Sequence, residues 1–211
     1  MVYLQMILQG GPVMILIALC SVLAVYIVIQ KCFQFHRAQV NVGELVSGLV
    51  NVLRRDGMIE AITLCDHTPG PVARMLTSAI HAYQNGDDIK HALEEQSLVE
   101  VPRLESRLNV LATLAYVTPL LGLLGTVIGL AQTFHEVYAS GAAITLPQLS
   151  KGVYMALVCT AAGLCVAIPC HIAYNYLTIR VEALTLDMEK AASEIVYFFN
   201  QKDKNENSRE K

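Results

Sequence analysis

Apolar positions along this chain fall into two regimes. In 12–29, 108–134 and 152–179 no Asp, Glu, Lys or Arg occurs. In 45–53, 72–83 and 177–198 apolar residues instead recur every three or four positions among more polar ones. An uncharged run of about 18 residues or more, coiled as a helix rising about 1.5 Å per residue, crosses a hydrocarbon core of roughly 30 Å. The pattern therefore predicts three transmembrane helices.

The periodic regime predicts further helices. Leu45, Leu49, Val52 and Leu53 share one helical face, as do Val72, Met75, Leu76, Ile80 and Tyr83. Breaks are expected at Asp56-Gly57, at Thr68-Pro69-Gly70-Pro71 and at Asn85-Gly86. Residues 87–107 read as a helix running into the second span, with Asp87 or Asp88 as N-cap and Pro102 as a kink or restart. Beyond the third span, Leu177, Val181, Leu184, Met188, Ala191, Ile195 and Phe198 continue one apolar face. The tail 200–211 has no apolar residue and reads as disordered. No strand pattern or internal repeat is visible. The expected fold class is an all-α integral membrane protein with three transmembrane helices. The second and third are expected to be long and to extend into the cytoplasm, beside a helical cytoplasmic loop domain. In segments, the expectation is an outer N-terminal stretch 1–11, transmembrane helix 12–33, loop domain 34–107, transmembrane helix 108–134, short periplasmic loop 135–151, transmembrane helix 152–177, cytoplasmic helix 178–199 and tail 200–211.

Charge fixes the expected orientation. No Lys or Arg lies in 1–11 and only Lys151 lies between the second and third spans, whereas 30–107 carries eight and 178–211 carries six. Basic residues are retained on the cytoplasmic side, which places the N-terminus outside and the C-terminus inside. The first span lacks a basic flank and a following small-residue cleavage site, so it reads as a retained helix rather than a signal peptide. A net charge of −3 gives no sign of nucleic-acid binding. Of the six cysteines, Cys20, Cys159, Cys165 and Cys170 lie in spans, and no C-x-x-C occurs; packing explains them better than metal or redox chemistry. No nucleophile triad, phosphate-cradling loop or metal-protease motif appears, and an enzyme, cofactor or metal is not expected.

Candidate chemistry sits on two stripes. Ala115, Thr118, Gly122, Thr126, Gly129 and Thr133 follow at steps of three or four on the second span. Ala156, Thr160, Gly163, Ala167, His171 and Tyr174 do so on the third. Two readings stay open. Small residues let helix backbones approach closely, and Thr can bond its own i−4 carbonyl. Alternatively, the stripes form a polar face toward an aqueous path or a partner's polar side chain, with Thr126 and Thr160 at similar depth. His171 is either a proton-relay station or a helix-end residue bonded to backbone or headgroups. A hydroxyl does not titrate near neutral pH. Any proton carrier in mid-membrane must then come from another chain.

The runs RLNVLATLAYVTPLLGLLGTVIGLAQTF (107–134) and KGVYMALVCTAAGLCVAIPCHIAYNYL (151–177) closely resemble the spans of the MotA/TolQ/ExbB proton-channel family, and CDHTPGPVARML (65–76) is similar to its cytoplasmic segment. Three spans with the large loop after the first match the ExbB/TolQ type. The resemblance implies a homopentameric inner-membrane motor subunit of a Gram-negative bacterium. Its second and third spans would line a pore around ExbD/TolR-type partner helices that supply an Asp as proton carrier. A TonB- or TolA-type transducer would pass the motion to the outer membrane. The family's pore threonines fall on Thr126 and Thr160. Where ExbB has a Glu five residues before the second threonine, this chain has Met155. A non-conducting scaffold that anchors a partner helix is the rival expectation. A solute transporter is disfavoured, because three spans without a repeat or an interrupted helix make a poor pathway.

Overall fold

Seven helices are found among the residues described by the computed structural model, which are 11–38, 41–55, 57–139 and 146–209. They are α1 (Gly11–Ala38), α2 (Val42–Leu53), α3 (Met58–His67), α4 (Pro71–Asn85), α5 (Ile89–Glu105), α6 (Leu108–Ala139) and α7 (Leu146–Arg209). No strand occurs among the described residues. Three of the helices are long and apolar enough to cross a membrane, and the molecule is an all-α, multi-pass membrane protein. Residues 1–10 of the expected outer segment 1–11, and residues 140–145 of the expected periplasmic loop 135–151, lie outside the described residues.

Local chemistry sets most helix ends. Pro12 sits in the first turn of α1, where its missing N–H costs nothing. Gly57 separates α2 from α3, a helix that the apolar pattern alone had not picked out. Pro71 opens α4, and Gly86 closes it in the left-handed region at φ 77°. There the Asp87 N–H reaches the Ala82 carbonyl and the Gly86 N–H reaches that of Tyr83, a Schellman closure. Asp88 caps α5 by accepting from the Lys90 N–H at 2.9 Å. Pro102 lies inside α5, which runs on for three residues and ends at Glu105. Arg107 then turns the chain into α6 at φ 69°, a conformation that costs a side-chain-bearing residue about 1 kcal/mol or more. Its guanidinium donates to the Gln30 side-chain carbonyl.

The chain forms two compact units, and helices α1 and α7 run through both. Unit one comprises residues up to Gln30 together with Arg107–Tyr176, and it holds the span segments. Ile17, Ala24 and Ile27 of α1 are buried there, while Ile15, Leu19, Val22 and Val25 point outward, as lipid contact requires.

Unit two comprises Lys31–Ser106 and the chain from Leu177 onward. Its core is built from Leu49 and Leu53 of α2, Ala61 and Cys65 of α3, Leu76 and Ile80 of α4, and Leu177, Val181, Met188, Ala191, Ile195 and Phe199 of α7. The expected apolar face thus holds along most of α7, except that Leu184 is half-buried and that Phe199 rather than Phe198 is fully buried, stacking on Tyr83 at 4.2 Å. Two charged residues lie deep in this unit. Glu100 is 1% exposed and takes two hydrogen bonds from Arg74, at 2.7 and 2.5 Å. The hydrogen bond to Glu100 raises the Arg74 guanidinium further above its ordinary range. Lys31 is also 1% exposed; its ammonium donates to the Leu104 carbonyl in the last turn of α5, where a cation also suits the helix dipole.

The tail departs from expectation. Residues 200–209, read as disordered, continue α7 to Arg209, so the third span and the residues after it as far as Arg209 belong to one 64-residue helix. Extending an existing helix carries no nucleation cost, so a polar segment that could not start a helix can prolong one. Side chains also hold this stretch. Gln201 donates to Tyr197 at 2.7 Å, Tyr83 donates to Asp203 at 3.0 Å, and Lys202 lies over the Tyr83 ring. Pro169 sits inside α7 without ending it.

Candidate functional site: the seam between α6 and α7

The two small-residue stripes meet each other within a single chain. Any Cβ added at Gly122 would lie 3.0 Å from the Cys159 carbonyl oxygen and 3.1 Å from the Thr160 Cα. One added at Gly163 would lie 2.8 Å from the Thr118 carbonyl oxygen. Gly129 lies against Ala156, and Gly125 against Cys159. The helices are antiparallel, and side chains of any size on this line would drive the backbones apart. Close packing, one of the two readings left open by the sequence, is therefore realised here.

Most of the candidate residues are enclosed in this seam. Thr118 is 0% exposed, Ala156 2%, Ala167 3% and Thr133 6%. Gly122 and Gly163 are buried as well, while Gly129 is half-buried. Cys159 and Gly125 belong to the same line, though the sequence reading had not placed Cys159 there. Thr126 and Thr160 differ from the buried members in being half-buried at the margin of the seam. The register sets Thr126 next to the Gly125–Cys159 contact, within about one turn of Thr160.

Each threonine hydroxyl has a backbone acceptor. Thr118 donates to the Leu114 carbonyl, Thr126 to that of Leu123 at 2.6 Å and Thr133 to that of Gly129 at 2.8 Å. Thr160 alone reaches across helices, to the Gly122 carbonyl at 3.2 Å. In every case the hydroxyl donates its single proton and keeps lone pairs that can accept from another group. No carboxylate, ammonium or guanidinium lies in 12–29, 108–134 or 152–179. The site can orient and solvate a charge, but it cannot supply one.

Two features lie above and below this level. Toward the far end of the seam, a cavity of about 80 Å³ is lined by Gln132, Met155, Gly129 and Ala156 with the first residues of α1. Met155 therefore opens onto a cavity whose polar side chain is an amide. Toward the other end, His171 is half-buried and meets Tyr116 of α6 edge-on, with ring centroids 4.9 Å apart at 85°. Sequence reasoning singled out His171 but not its partner; the antiparallel register that pairs them is invisible in either segment alone. Among the described residues no cluster of His, Cys, Asp and Glu could hold a metal.

Comparison with known proteins converges on the same segments. The family description "MotA/TolQ/ExbB proton channel family" matches residues 67–190, which include α4, α5, α6 and α7 as far as Lys190. The chain is 29% identical over 181 residues to a protein of Methanothermobacter thermautotrophicus described as a homolog of biopolymer transport protein ExbB. That alignment covers 85% of this chain but only 64% of the relative's length. It is 27% identical over 215 residues to biopolymer transport protein ExbB of Neisseria meningitidis, covering 92% of this chain and 96% of the relative. It is 43% identical over 88 residues to the Tol-Pal system protein TolQ of Haemophilus influenzae, covering 42% of this chain and 38% of that one.

Proposed function

Because the chain belongs to the MotA/TolQ/ExbB proton channel family, we propose that it is the ring-forming subunit of a proton-driven motor of ExbB/TolQ type. In this reading copies of the chain, five by family resemblance, surround the membrane helices of ExbD/TolR-type partners. Proton flow down the gradient drives relative motion, which a TonB- or TolA-type protein passes on, in the manner of a biopolymer transport system. The setting is the inner membrane, with the N-terminus periplasmic and the C-terminus cytoplasmic, in line with eight and six basic residues in 30–107 and 178–211.

One observation carries the proposal. Two hydroxyls stand half-exposed at one level beside a tightly packed seam, in spans that hold no charged group of their own. The arrangement suits a carboxyl brought by another chain. Placing a carboxylate at mid-membrane costs about 2.5–3.5 kcal/mol on insertion scales. When that carboxyl is protonated, its O–H donates to the lone pairs of Thr126 or Thr160. When it is ionised, the threonine O–H groups turn from their backbone acceptors to the carboxylate. Interhelical hydrogen bonds of this kind contribute about 0.6 kcal/mol on average, up to about 1.7. They offset part of the cost without trapping the charge, and one elementary charge crossing 100 mV releases about 2.3 kcal/mol to drive the cycle. Thr118, Gly122, Ala156, Gly163 and Ala167 then hold the two helices as one wall, while Thr126 and Thr160 face the carrier.

The test is substitution by an isostere without a hydroxyl. Thr126→Val and Thr160→Val are expected to leave assembly intact, as judged by the mass of the purified complex, and to abolish energy transduction. Normal transduction by both variants would refute the pore role. A second reading has an observation of its own: the stripes are largely consumed by packing within the chain, as a non-conducting scaffold that merely anchors a partner helix would require.

A further inference from the structure

His171 is the only imidazole in any of the three spans, and it lies on the same helix and the same stripe as Thr160, eleven residues further along. That is about 16 Å along the axis, toward the end that continues into unit two. Holding an ionisable side chain at this depth is costly, and nothing in the packing of the seam requires one: Ala167, one turn earlier, fills its place with a methyl group and is buried. His171 instead remains half-buried and is oriented by the edge-on Tyr116 ring at 4.9 Å.

We propose that His171, oriented by Tyr116, is the inner proton station of the pathway. There the proton leaves the membrane on the cytoplasmic side of the threonine level. The inference rests on the motor reading above. The partner's carboxylic acid passes its O–H proton through intervening water to an imidazole nitrogen, which leaves a carboxylate and an imidazolium. The imidazolium then releases one ring N–H proton to cytoplasmic water and returns to the neutral form. Imidazole is the ordinary side chain whose charge changes between about pH 5 and 8, the range in which such release responds to internal pH.

Few groups can compete for this proton. From α6 the facing titratable group is Tyr116. On α7 itself Cys170 is adjacent and Tyr174 lies one turn on, while the span segment of α1 offers only Cys20 and Tyr26. No Asp, Glu, Lys or Arg stands in any of these stretches. Tyr116 is a positioning residue, since its ring touches the imidazole and is itself 64% exposed.

The experiment uses the full complex with its single-span partner, reconstituted in vesicles, with proton flux read against internal pH from about 5.5 to 8. Wild type is expected to show one titration step. His171→Asn and His171→Gln are expected to assemble normally, lose the step, and lower flux by roughly 100-fold, the lower end of what a positioned acid–base group contributes. Tyr116→Phe, which keeps the ring, retains the step, and Tyr116→Ala displaces it along the pH axis. Unchanged flux in both His171 variants overturns the proposal. So does a uniform loss with the step retained. The parent reading fails separately, if Thr126→Val and Thr160→Val conduct normally, and that outcome is visible whatever His171 does.

Discussion

At the scale of single residues, burial changes chemistry in ways that can be measured. Cys65, 2% exposed in the core of unit two, has its thiol pushed up from 9.0 to about 11. Burial is the main cause; a hydrogen bond with Thr77 opposes it and the charge of Asp66 adds to it. The thiolate is the reactive form, so native Cys65 carries about a hundredfold less of it at pH 8 than a free thiol does. Alkylation by iodoacetamide should therefore be at least 100-fold slower in the native protein than after unfolding, read by mass spectrometry at this residue. The raised value also has a stability consequence. Folding favours the neutral thiol, so that contribution is intact below pH 9 and is lost as pH rises through about 11. Some residue roles were legible from type alone. Asp88 caps a helix and Gly86 closes one because those roles depend on the side chain and its immediate backbone. The burial of Lys31 and Glu100 was not legible, since both look like ordinary surface charges in the sequence and become core groups through Leu104 and Arg74, 73 and 26 residues away.

At the scale of elements, the seam depends on backbone contact. A side chain at Gly163 would press on the Thr118 carbonyl oxygen at 2.8 Å and on the Gly122 Cα at 3.1 Å; both are backbone atoms and cannot swing aside. Gly163→Val is expected to destabilise the helix pair by about 1–3 kcal/mol, the usual range for overpacking. Gly48→Ala, in α2 with open space around it, should instead stabilise by about 0.5–1 kcal/mol through helix propensity. Denaturation of the two purified variants in parallel checks both signs. Most elements were predictable because amphipathic period and Gly/Pro punctuation are local. The continuity of α7 was not: the tail after Phe199 has no apolar face, and its helix is inherited from the segment before it.

At the scale of the whole molecule, the chain alone carries no proton carrier at the threonine level. A motor subunit and a scaffold therefore differ in how the partner helix responds to the gradient. In cells, cross-linking between a cysteine placed near Thr126 and the partner helix is expected to change when an uncoupler collapses the proton gradient. An identical pattern with and without uncoupler favours the scaffold. Ion flow in this reading is a property of the assembly rather than of the single chain, whose stripes close on each other and leave Thr126 and Thr160 as the threonines half-exposed at the margin.

The amino-acid order by itself determined the number of spans, the segregation of charge, the main chain breaks and the absence of any carboxylate from the spans. Those are properties of hydropathy, capping and composition, each decided within a few turns of helix. Only the tertiary structure decided that the two small-residue faces meet, that Thr160 donates to the Gly122 carbonyl while Thr126 stays on its own helix, and that Tyr116 stands against His171. Such pairings join segments 38 to 55 residues apart. The register between packed helices is fixed by which shapes fit together in space, and no periodicity within one helix encodes it.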